Sequence, residues 1–288
     1  MKKLIAILLV VLLMLSLAAC GKKEEEDETP KSDMETIKAS GKLRVGMECD
    51  YAPFNWMVTN PTDTSEKIQS GGYADGYDVY FSRLIAEELG VEVEVVKLEW
   101  NGLTLALEAG TIDLIIAGMS PTEERKQTVD FTDPYYRGKK VVVVRKDSKY
   151  LGAKSLEDLD GITLSAQLNS LHYDLIDQVP GAVKGMPYEN SPAKILAVQS
   201  GVLDGFVEDI DVAKAVCETN DDLTYITFEE GKGFSVDETK LTDAIGCRKG
   251  SDMVEFINGI LAKVSVEERE ALMDKARRSQ PVMAGDED

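Results

Sequence analysis

The feature that most constrains the fold of this sequence is a short internal repeat. Residues 105–118 read Leu-Ala-Leu-Glu-Ala-Gly-Thr-Ile-Asp-Leu-Ile-Ile-Ala-Gly, and residues 196–209 read Leu-Ala-Val-Gln-Ser-Gly-Val-Leu-Asp-Gly-Phe-Val-Glu-Asp. Each pattern predicts a helix that stops at a glycine and is followed by a buried strand. Two equivalent helix–strand units predict two similar lobes rather than one large sheet.

From residue 41 onward, short apolar runs alternate with amphipathic stretches, which is the pattern of an α/β fold. The predicted strands and helices are strands 43–47, 91–96, 114–117 and 141–144 and helices 78–89, 103–109, 251–263 and 266–278. Asp78 is the predicted N-cap of its helix. Ligands of open α/β sheets gather at the carboxyl ends of strands. Gly118 and Asp209, where the repeated strands end, are therefore expected to face one cleft.

The N-terminus predicts export. Lys2 and Lys3 precede an apolar run that ends in small residues, so residues 1–19 are predicted to be a signal peptide. Leu-Ala-Ala-Cys at 17–20 resembles a bacterial lipobox, which implies diacylation of Cys20. An uncleaved anchor is the alternative. Residues 22–32 contain no large apolar side chain, so residues 20–40 are predicted to be a disordered acidic tether to the membrane.

The bulk composition excludes some classes of function. A length of 288 residues suggests two domains, and a net charge of −20 without a basic stripe argues against nucleic acid as a partner. Beyond Cys20 the cysteines are Cys49, Cys217 and Cys247, with no Cys-x-x-Cys spacing and no Cys/His cluster. No metal, redox site or cofactor is therefore predicted. One disulfide is possible in an exported protein, but no pair is assigned.

Residues 117–125 are the segment richest in chemistry. Ser120, Pro121 and Glu123 fit a capping box, which predicts a helix N-terminus that favours an anion. Arg125 could return over the same spot and offer two parallel donors to a carboxylate. An ordinary capped helix with a solvated arginine is an equal alternative. Asp209 offers the opposite charge at the other strand end, unless it is a surface residue that caps the next helix.

Short motifs in order carry a resemblance. They are Leu-Arg-Val-Gly at 43–46, Tyr-Ala-Pro-Phe at 51–54, Gly-Tyr-Asp-Val at 76–79, Trp-Asn-Gly-Leu at 100–103, Gly-Thr-Ile-Asp at 110–113, residues 117–125, 129–135 and 203–209. The chain resembles the extracytoplasmic amino-acid-binding proteins of ABC importers, the polar amino acid family 3 type. The resemblance implies a two-lobed periplasmic-binding-protein-like (type II) fold with hinge crossings near 136–141 and 241–246. Lobe 1 is predicted to hold residues 41–138 and 245–288, and lobe 2 residues 139–244.

The resemblance also implies the ligand site. Tyr51 and Trp100 become aromatic walls of the cleft. The backbone of Ala117 and Gly118 and the hydroxyl of Ser120 are expected to contact the ligand. By the same resemblance, the ligand's α-carboxylate binds Arg125 and its α-ammonium binds Asp209.

One loop departs from the family pattern. Where relatives commonly read Gln-x-Gly-Thr, this chain has Gln167, Leu168, Asn169 and Ser170. Asparagine tolerates the left-handed conformation that glycine would supply, and serine keeps the hydroxyl. Asn169 and Ser170 therefore stay in the predicted ligand site. His172, the only histidine, is expected to be a packed or surface residue.

The acids near the site favour a cationic side chain. Glu48 ends the first strand, and Glu189 and Glu208 add negative charge, so arginine or lysine is the favoured ligand. Glutamine, histidine and other polar amino acids remain open. The expected role is a binding protein that delivers its amino acid to an ABC permease. A dehydratase with Glu48 or Glu208 as its catalytic acid is the enzymatic alternative, since fold alone does not choose.

Overall fold

Three sheets organise the computed structural model, which describes residues 32–237 and 241–281. The predicted signal peptide, Cys20 and the tether up to residue 31 lie outside these residues. The strands are β1 Lys42–Met47, β2 Asp50–Tyr51, β3 Asn55–Val58, β4 Glu66–Lys67, β5 Tyr73–Asp75, β6 Glu92–Lys97, β7 Leu114–Ile115, β8 Val129–Arg137, β9 Lys140–Arg145, β10 Thr163–Ser165, β11 Val183–Lys184, β12 Gly205–Asp209, β13 Leu223–Ile226 and β14 Thr242–Arg248.

Helices cover the sheets and join the strands. The α-helices are α1 Asp33–Ser40, α2 Tyr77–Leu89, α3 Leu103–Glu108, α4 Leu171–Leu175, α5 Ser191–Gln199, α6 Ile210–Thr219, α7 Met253–Leu261 and α8 Val266–Ser279. Short 3-10 helices are Trp100–Gly102, Arg125–Gln127, Leu156–Leu159 and Ile176–Gln178. No helix in the described part of the chain is long and apolar enough to span a bilayer.

Lobe 1 is built on a five-stranded sheet with the order β6-β1-β7-β14-β8. Strand β1 runs parallel to β6 and β7, whereas β14 is antiparallel to β7 and β8. Leu43, Val45 and Met47 of β1 are fully buried, as expected for a central strand. A small four-stranded sheet, β2-β3-β5-β4, is added between β1 and α2 in sequence.

Lobe 2 is built on a second five-stranded sheet with the order β11-β10-β12-β9-β13. Strand β12 is antiparallel to β9, and this register sets Asp209 opposite Lys140. The sheet therefore brings an acid and a base side by side near the boundary between the lobes.

The internal repeat has the same structure in both lobes. Asp113 follows α3 and accepts a hydrogen bond from the backbone N–H of Arg44 on β1, at 2.9 Å. Asp204 follows α5 and accepts one from the backbone N–H of Thr163 on β10, also at 2.9 Å. In both cases the aspartate N–H donates back to the same residue's carbonyl. The repeated Gly-x-x-Asp thus ties each helix–strand unit to the neighbouring strand.

The chain crosses between the two sheets near the predicted positions. The first crossing lies between β8 and β9, at Gly138 and Lys139. The return to lobe 1 precedes Thr242, because β14 already pairs there with Arg137 of β8. Lobe 1 therefore resumes earlier than the predicted boundary at residue 245.

Two predicted caps are wrong. The segment after Ser120 does not begin an α-helix, because the Ser120 hydroxyl donates to Asp243 and only a 3-10 turn forms at Arg125–Gln127. Gly76, not Asp78, precedes α2. The Asp78 carboxylate is instead buried and accepts hydrogen bonds from Asn55 at 2.7 Å and Tyr135 at 2.6 Å.

The predicted tether is too long at its C-terminal end. Residues 33–40 form α1, which Ser32 and Glu35 start with a reciprocal capping box. Asp33 anchors this helix to lobe 1 by accepting hydrogen bonds from Arg248. Asp33 and Glu35, predicted to lie in the tether, therefore belong to a docked helix.

Candidate functional site

The lobes meet at a small cavity of about 20 Å³. Its walls come from both sheets. The lining residues are Glu48, Tyr51, Trp100, Gly118, Ser120, Arg125, Gln167, Ser170, Leu171 and His172. Ligand pockets commonly measure about 300–1,000 Å³, so a free amino acid can enter only if the lobes move apart.

Direct hydrogen bonds hold the lobes closed over this cavity. The Tyr51 hydroxyl donates to Glu208 Oε1 at 2.8 Å. Gln167 Nε2 donates to Glu48 Oε1 at 2.6 Å. Trp100 Nε1 donates to the Asn169 carbonyl at 3.3 Å. Each bond joins lobe 1 to lobe 2, so the structure shows a closed arrangement.

Most of the predicted site residues reach the cavity, but not all of them. Those that line it are Glu48, Tyr51, Trp100, Gly118, Ser120, Arg125 and Ser170. Ala117 is buried and is not among the lining residues, and Asn169 takes part through its carbonyl oxygen. Asp209 is 1% exposed and is not among the lining residues.

Two backbone conformations shape the walls. Gly118 has a φ of 58°, and a Cβ added there would lie 2.9 Å from the Tyr51 ring. A side chain at this position would therefore displace the aromatic wall. Asn169 has a φ of 56°, the left-handed conformation predicted from its sequence. Its carbonyl consequently faces lobe 1.

Arg125 is the cation of the site. Its guanidinium donates to the carbonyls of Ser120 at 2.8 Å and Asn169 at 2.9 Å and lies 4.9 Å from the centre of the Trp100 ring. Burial lowers the pKa of Arg125 to about 10, so it stays protonated at neutral pH. No carboxylate of the described residues forms an ion pair with it. Further donors of the guanidinium remain for a ligand carboxylate.

Glu48 is the acid that faces the cavity directly. It is 4% exposed and receives one hydrogen bond, from Gln167. Burial raises the pKa of Glu48 to about 8, and the nearby charge of Asp50 adds to the shift. A carboxylate buried in this way gains much from a cationic partner.

The acids of lobe 2 are already paired. Asp209 binds Lys140 at 2.6 Å and His172 at 3.0 Å. Although burial alone would raise the pKa of Asp209, these partners hold it well below its usual range. Glu208 binds Lys194 at 2.5 Å, and this partner lowers the pKa of Glu208 against the effect of burial.

The sequence reasoning missed Lys140, Lys194 and Gln167, and it expected His172 to be packed or on the surface, whereas His172 is packed and also lines the cavity. Lys194 is fully buried in α5, an otherwise largely apolar helix, and that position was the available signal. His172 is 9% exposed, and its contact with Asp209 depends on strand register that no local pattern reveals.

One group of side chains has metal-ligand chemistry. Ligand atoms of His172, Glu208 and Asp209 lie within 4.8 Å of one another. Lys140 and Lys194 already neutralise the two carboxylates, so a bound cation would have to displace them. The thiols of Cys49, Cys217 and Cys247 are free.

Comparison with known proteins agrees with this geometry. Residues 43–276 match the family described as "Bacterial extracellular solute-binding proteins, family 3". The arginine-binding extracellular protein ArtP of Bacillus subtilis is 32% identical over 230 residues, which cover 77% of this chain and 80% of the relative. The L-cystine-binding protein TcyJ of Escherichia coli K12 is 25% identical over 232 residues, which cover 80% of each chain.

A solved structure shows the same fold. It is an amino acid ABC transporter substrate-binding protein of Streptococcus pneumoniae bound to L-arginine, with a TM-score of 0.74 and 27% identity. The match covers 86% of this chain and 98% of that one. The predicted two-lobed fold and the predicted family are confirmed, and the chain belongs to the family 3 extracellular solute-binding proteins of bacteria.

Proposed function

We propose that this chain captures a free amino acid with a cationic side chain between its lobes and delivers it to an ABC permease. One observation carries the proposal. Arg125 and Glu48 face the same cavity from lobe 1, and neither has an ion-pair partner among the described residues. A ligand with one carboxylate and a cationic side chain supplies both missing charges.

The positions of the side chains support this assignment. The Arg125 guanidinium is fixed by two backbone carbonyls and by the face of Trp100, so its remaining donors are oriented before the ligand arrives. Tyr51 is stacked on Phe54 with ring centres 5.3 Å apart. The rings of Tyr51 and Trp100, which line the cavity, can flank an aliphatic or guanidinium side chain that extends toward Glu48.

The relatives point to the same ligand class without fixing it. One is named as arginine-binding and another is bound to L-arginine, whereas a third is named for L-cystine. Glutamine and histidine also remain possible ligands. A neutral side chain would leave the Glu48 carboxylate without a cation, and cystine would bring a second carboxylate along with its second ammonium, so both fit the charges of the site less well.

The proposed mechanism is closure of the hinge around the ligand. The ligand favours the closed state because only there do residues from both lobes contact it. The permease then recognises the closed shape. We further propose that the protein acts outside the cytoplasm and is held at the membrane by a lipid on Cys20.

A binding screen tests the proposal. The full chain is purified in detergent, stripped of ligand by unfolding and refolding, and titrated calorimetrically with each common amino acid. We expect L-arginine or L-lysine to bind most tightly and to raise the melting temperature by mass action. Tightest binding of a neutral amino acid would keep the receptor role but reject the cationic ligand, and no binding of any amino acid would reject both.

A further inference from the structure

A carboxylate outside the predicted site lies directly behind the cavity wall. Asp243 is the second residue of β14, in lobe 1, and is 1% exposed. Its Oδ1 accepts a hydrogen bond from the Ser120 hydroxyl at 3.0 Å. Its Oδ2 is buried without a hydrogen-bond partner among the described residues.

Asp243 differs from the two acids of lobe 2 that also touch lining residues. Glu208 and Asp209 each bind a lysine within 2.6 Å. Asp243 forms no such ion pair in the described part of the chain. Its pKa is raised to about 7, mainly by burial and then by the negative charge of Asp209, while Lys140, Ser120 and His172 oppose the shift. Among the described residues, Glu48, which lines the cavity, and Asp243, which is bonded to the lining residue Ser120, are thus the two acids of this region that lack a bonded cation.

The position of Asp243 suits one group of an amino acid in particular. The α-carboxylate and α-ammonium of a ligand are bonded to the same carbon, so their partners must lie close together. Arg125 donates to the Ser120 carbonyl, and Asp243 accepts from the Ser120 hydroxyl. Arg125, the predicted partner of the ligand's carboxylate, and Asp243 therefore both bond to Ser120. Because the Ser120 hydroxyl donates to Asp243, its oxygen remains free to accept from an ammonium.

We infer that Asp243 is an ammonium-binding residue of the ligand site, with its Oδ2 accepting from the α-ammonium of the bound amino acid. The inference rests on the proposed function. It assigns Arg125 to the α-carboxylate, Asp243 to the α-ammonium and Glu48 to the side chain. It leaves Asp209 bonded to Lys140 and His172, the partners that it has in the closed structure.

The assignment also explains why an unpaired acid is retained in the interior. A buried carboxylate without a cation costs folding free energy, and a structural role would be served as well by asparagine. The cost is recovered when the ligand's ammonium binds. Replacing Asp243 by asparagine should therefore leave the ligand-free protein at least as stable as the wild type.

The test compares two probes that differ only in the α-amino group, L-arginine and 5-guanidinopentanoate. Calorimetric titration of the refolded full chain is expected to show that Asp243→Asn weakens L-arginine binding by about 30-fold or more. The same change should alter binding of 5-guanidinopentanoate by less than about threefold, since that probe has no ammonium to lose. The exposed Asp221→Asn is the matched control, and neither probe should distinguish it from the wild type.

Other outcomes overturn the assignment. Equal losses for both probes, with a lower melting temperature, would make Asp243 a structural residue. A selective loss of L-arginine in Asp209→Asn, with none in Asp243→Asn, would return the ammonium to Asp209. If the wild type binds L-glutamine instead of L-arginine, the probes become L-glutamine and its deamino analogue, so failure of the cationic proposal does not hide the result for Asp243.

Discussion

The two faces of the cleft carry their acids in opposite electrostatic states. On lobe 2, Glu208 and Asp209 are bonded to Lys194 and Lys140 and are effectively neutralised before any ligand arrives. On lobe 1, Glu48 and Asp243 have no bonded cation among the described residues, and both have raised pKa values. Under the proposed function, lobe 1 would therefore supply most of the charge recognition. Lobe 2, whose acids are already paired, would mainly cover the ligand on closure.

The largest effect is expected from breaking a pair in lobe 2. Lys194→Met leaves Glu208 buried without its cation, and such a loss costs about 3–5 kcal/mol of folding free energy. Urea unfolding of the ligand-free protein measures it. The double variant Lys194→Met/Glu208→Gln removes both charges and should recover most of the loss. An equal loss in the exposed control Lys275→Met would contradict a specific role for the buried pair.

The next effect concerns the cation of lobe 1. Arg125→Gln should weaken L-arginine binding by about 100-fold, because the ligand's carboxylate loses its charged partner in a desolvated site. Agmatine, which lacks the α-carboxylate, should lose far less. Lys126→Gln is the neighbouring control. Equal sensitivity of both ligands to Arg125→Gln would remove this residue from carboxylate recognition.

The smallest effect is the pH dependence of ligand binding that Glu48 of lobe 1 should cause. Since the carboxyl pKa of Glu48 is raised to about 8, the group is mostly protonated in the free protein at neutral pH. A cationic ligand prefers the carboxylate, so binding of L-arginine should strengthen by about tenfold from about pH 6.5 to about pH 8.5. Glu48→Gln should bind more weakly at the upper pH and lose most of this slope. An unchanged slope in the variant would assign the titration to another group.

The raised pKa of Glu48 also affects the stability of the ligand-free protein, which should fall as the pH rises. A folded-state carboxyl pKa above the unfolded value destabilises the fold wherever the unfolded group is ionised, which is above about pH 4.5. The penalty grows until the pH passes the folded pKa of Glu48. Glu48→Gln should therefore raise the melting temperature of the ligand-free protein near pH 8 and leave it nearly unchanged near pH 4.

The sequence predicted the parts of the site that depend on local pattern. The repeat located the two lobes because Gly-x-x-Asp performs the same hydrogen bonding at Asp113 and Asp204. Glu48, which follows β1, and Arg125 reached the cavity as expected. The left-handed conformation of Asn169 also followed from its residue type.

What could not be predicted depends on contacts between distant segments. Ser120 fits a helix cap in sequence, but its hydroxyl is taken by Asp243, far along the chain. The sequence predicts Asp209 as an acid that binds the ligand, but the antiparallel register of β12 and β9 places Lys140 opposite it. Local spacing contains neither fact. An acid can be assigned to ligand binding only when the charged residues on the neighbouring strands are known.

Under the proposed function, the hydrogen bond from Gln167 to Glu48 competes with the ligand for the same carboxyl group. The primary amide presents an N–H to the carboxylate in the place where a cationic side chain would bind. Because this bond joins the two lobes, it breaks when they open, and under the proposed function a bound cationic side chain would keep it from re-forming when the lobes close. On release, the amide can return to Glu48 as the cargo departs. Under the proposed function, the buried Glu48 carboxyl group therefore keeps a hydrogen-bond partner both with and without a ligand.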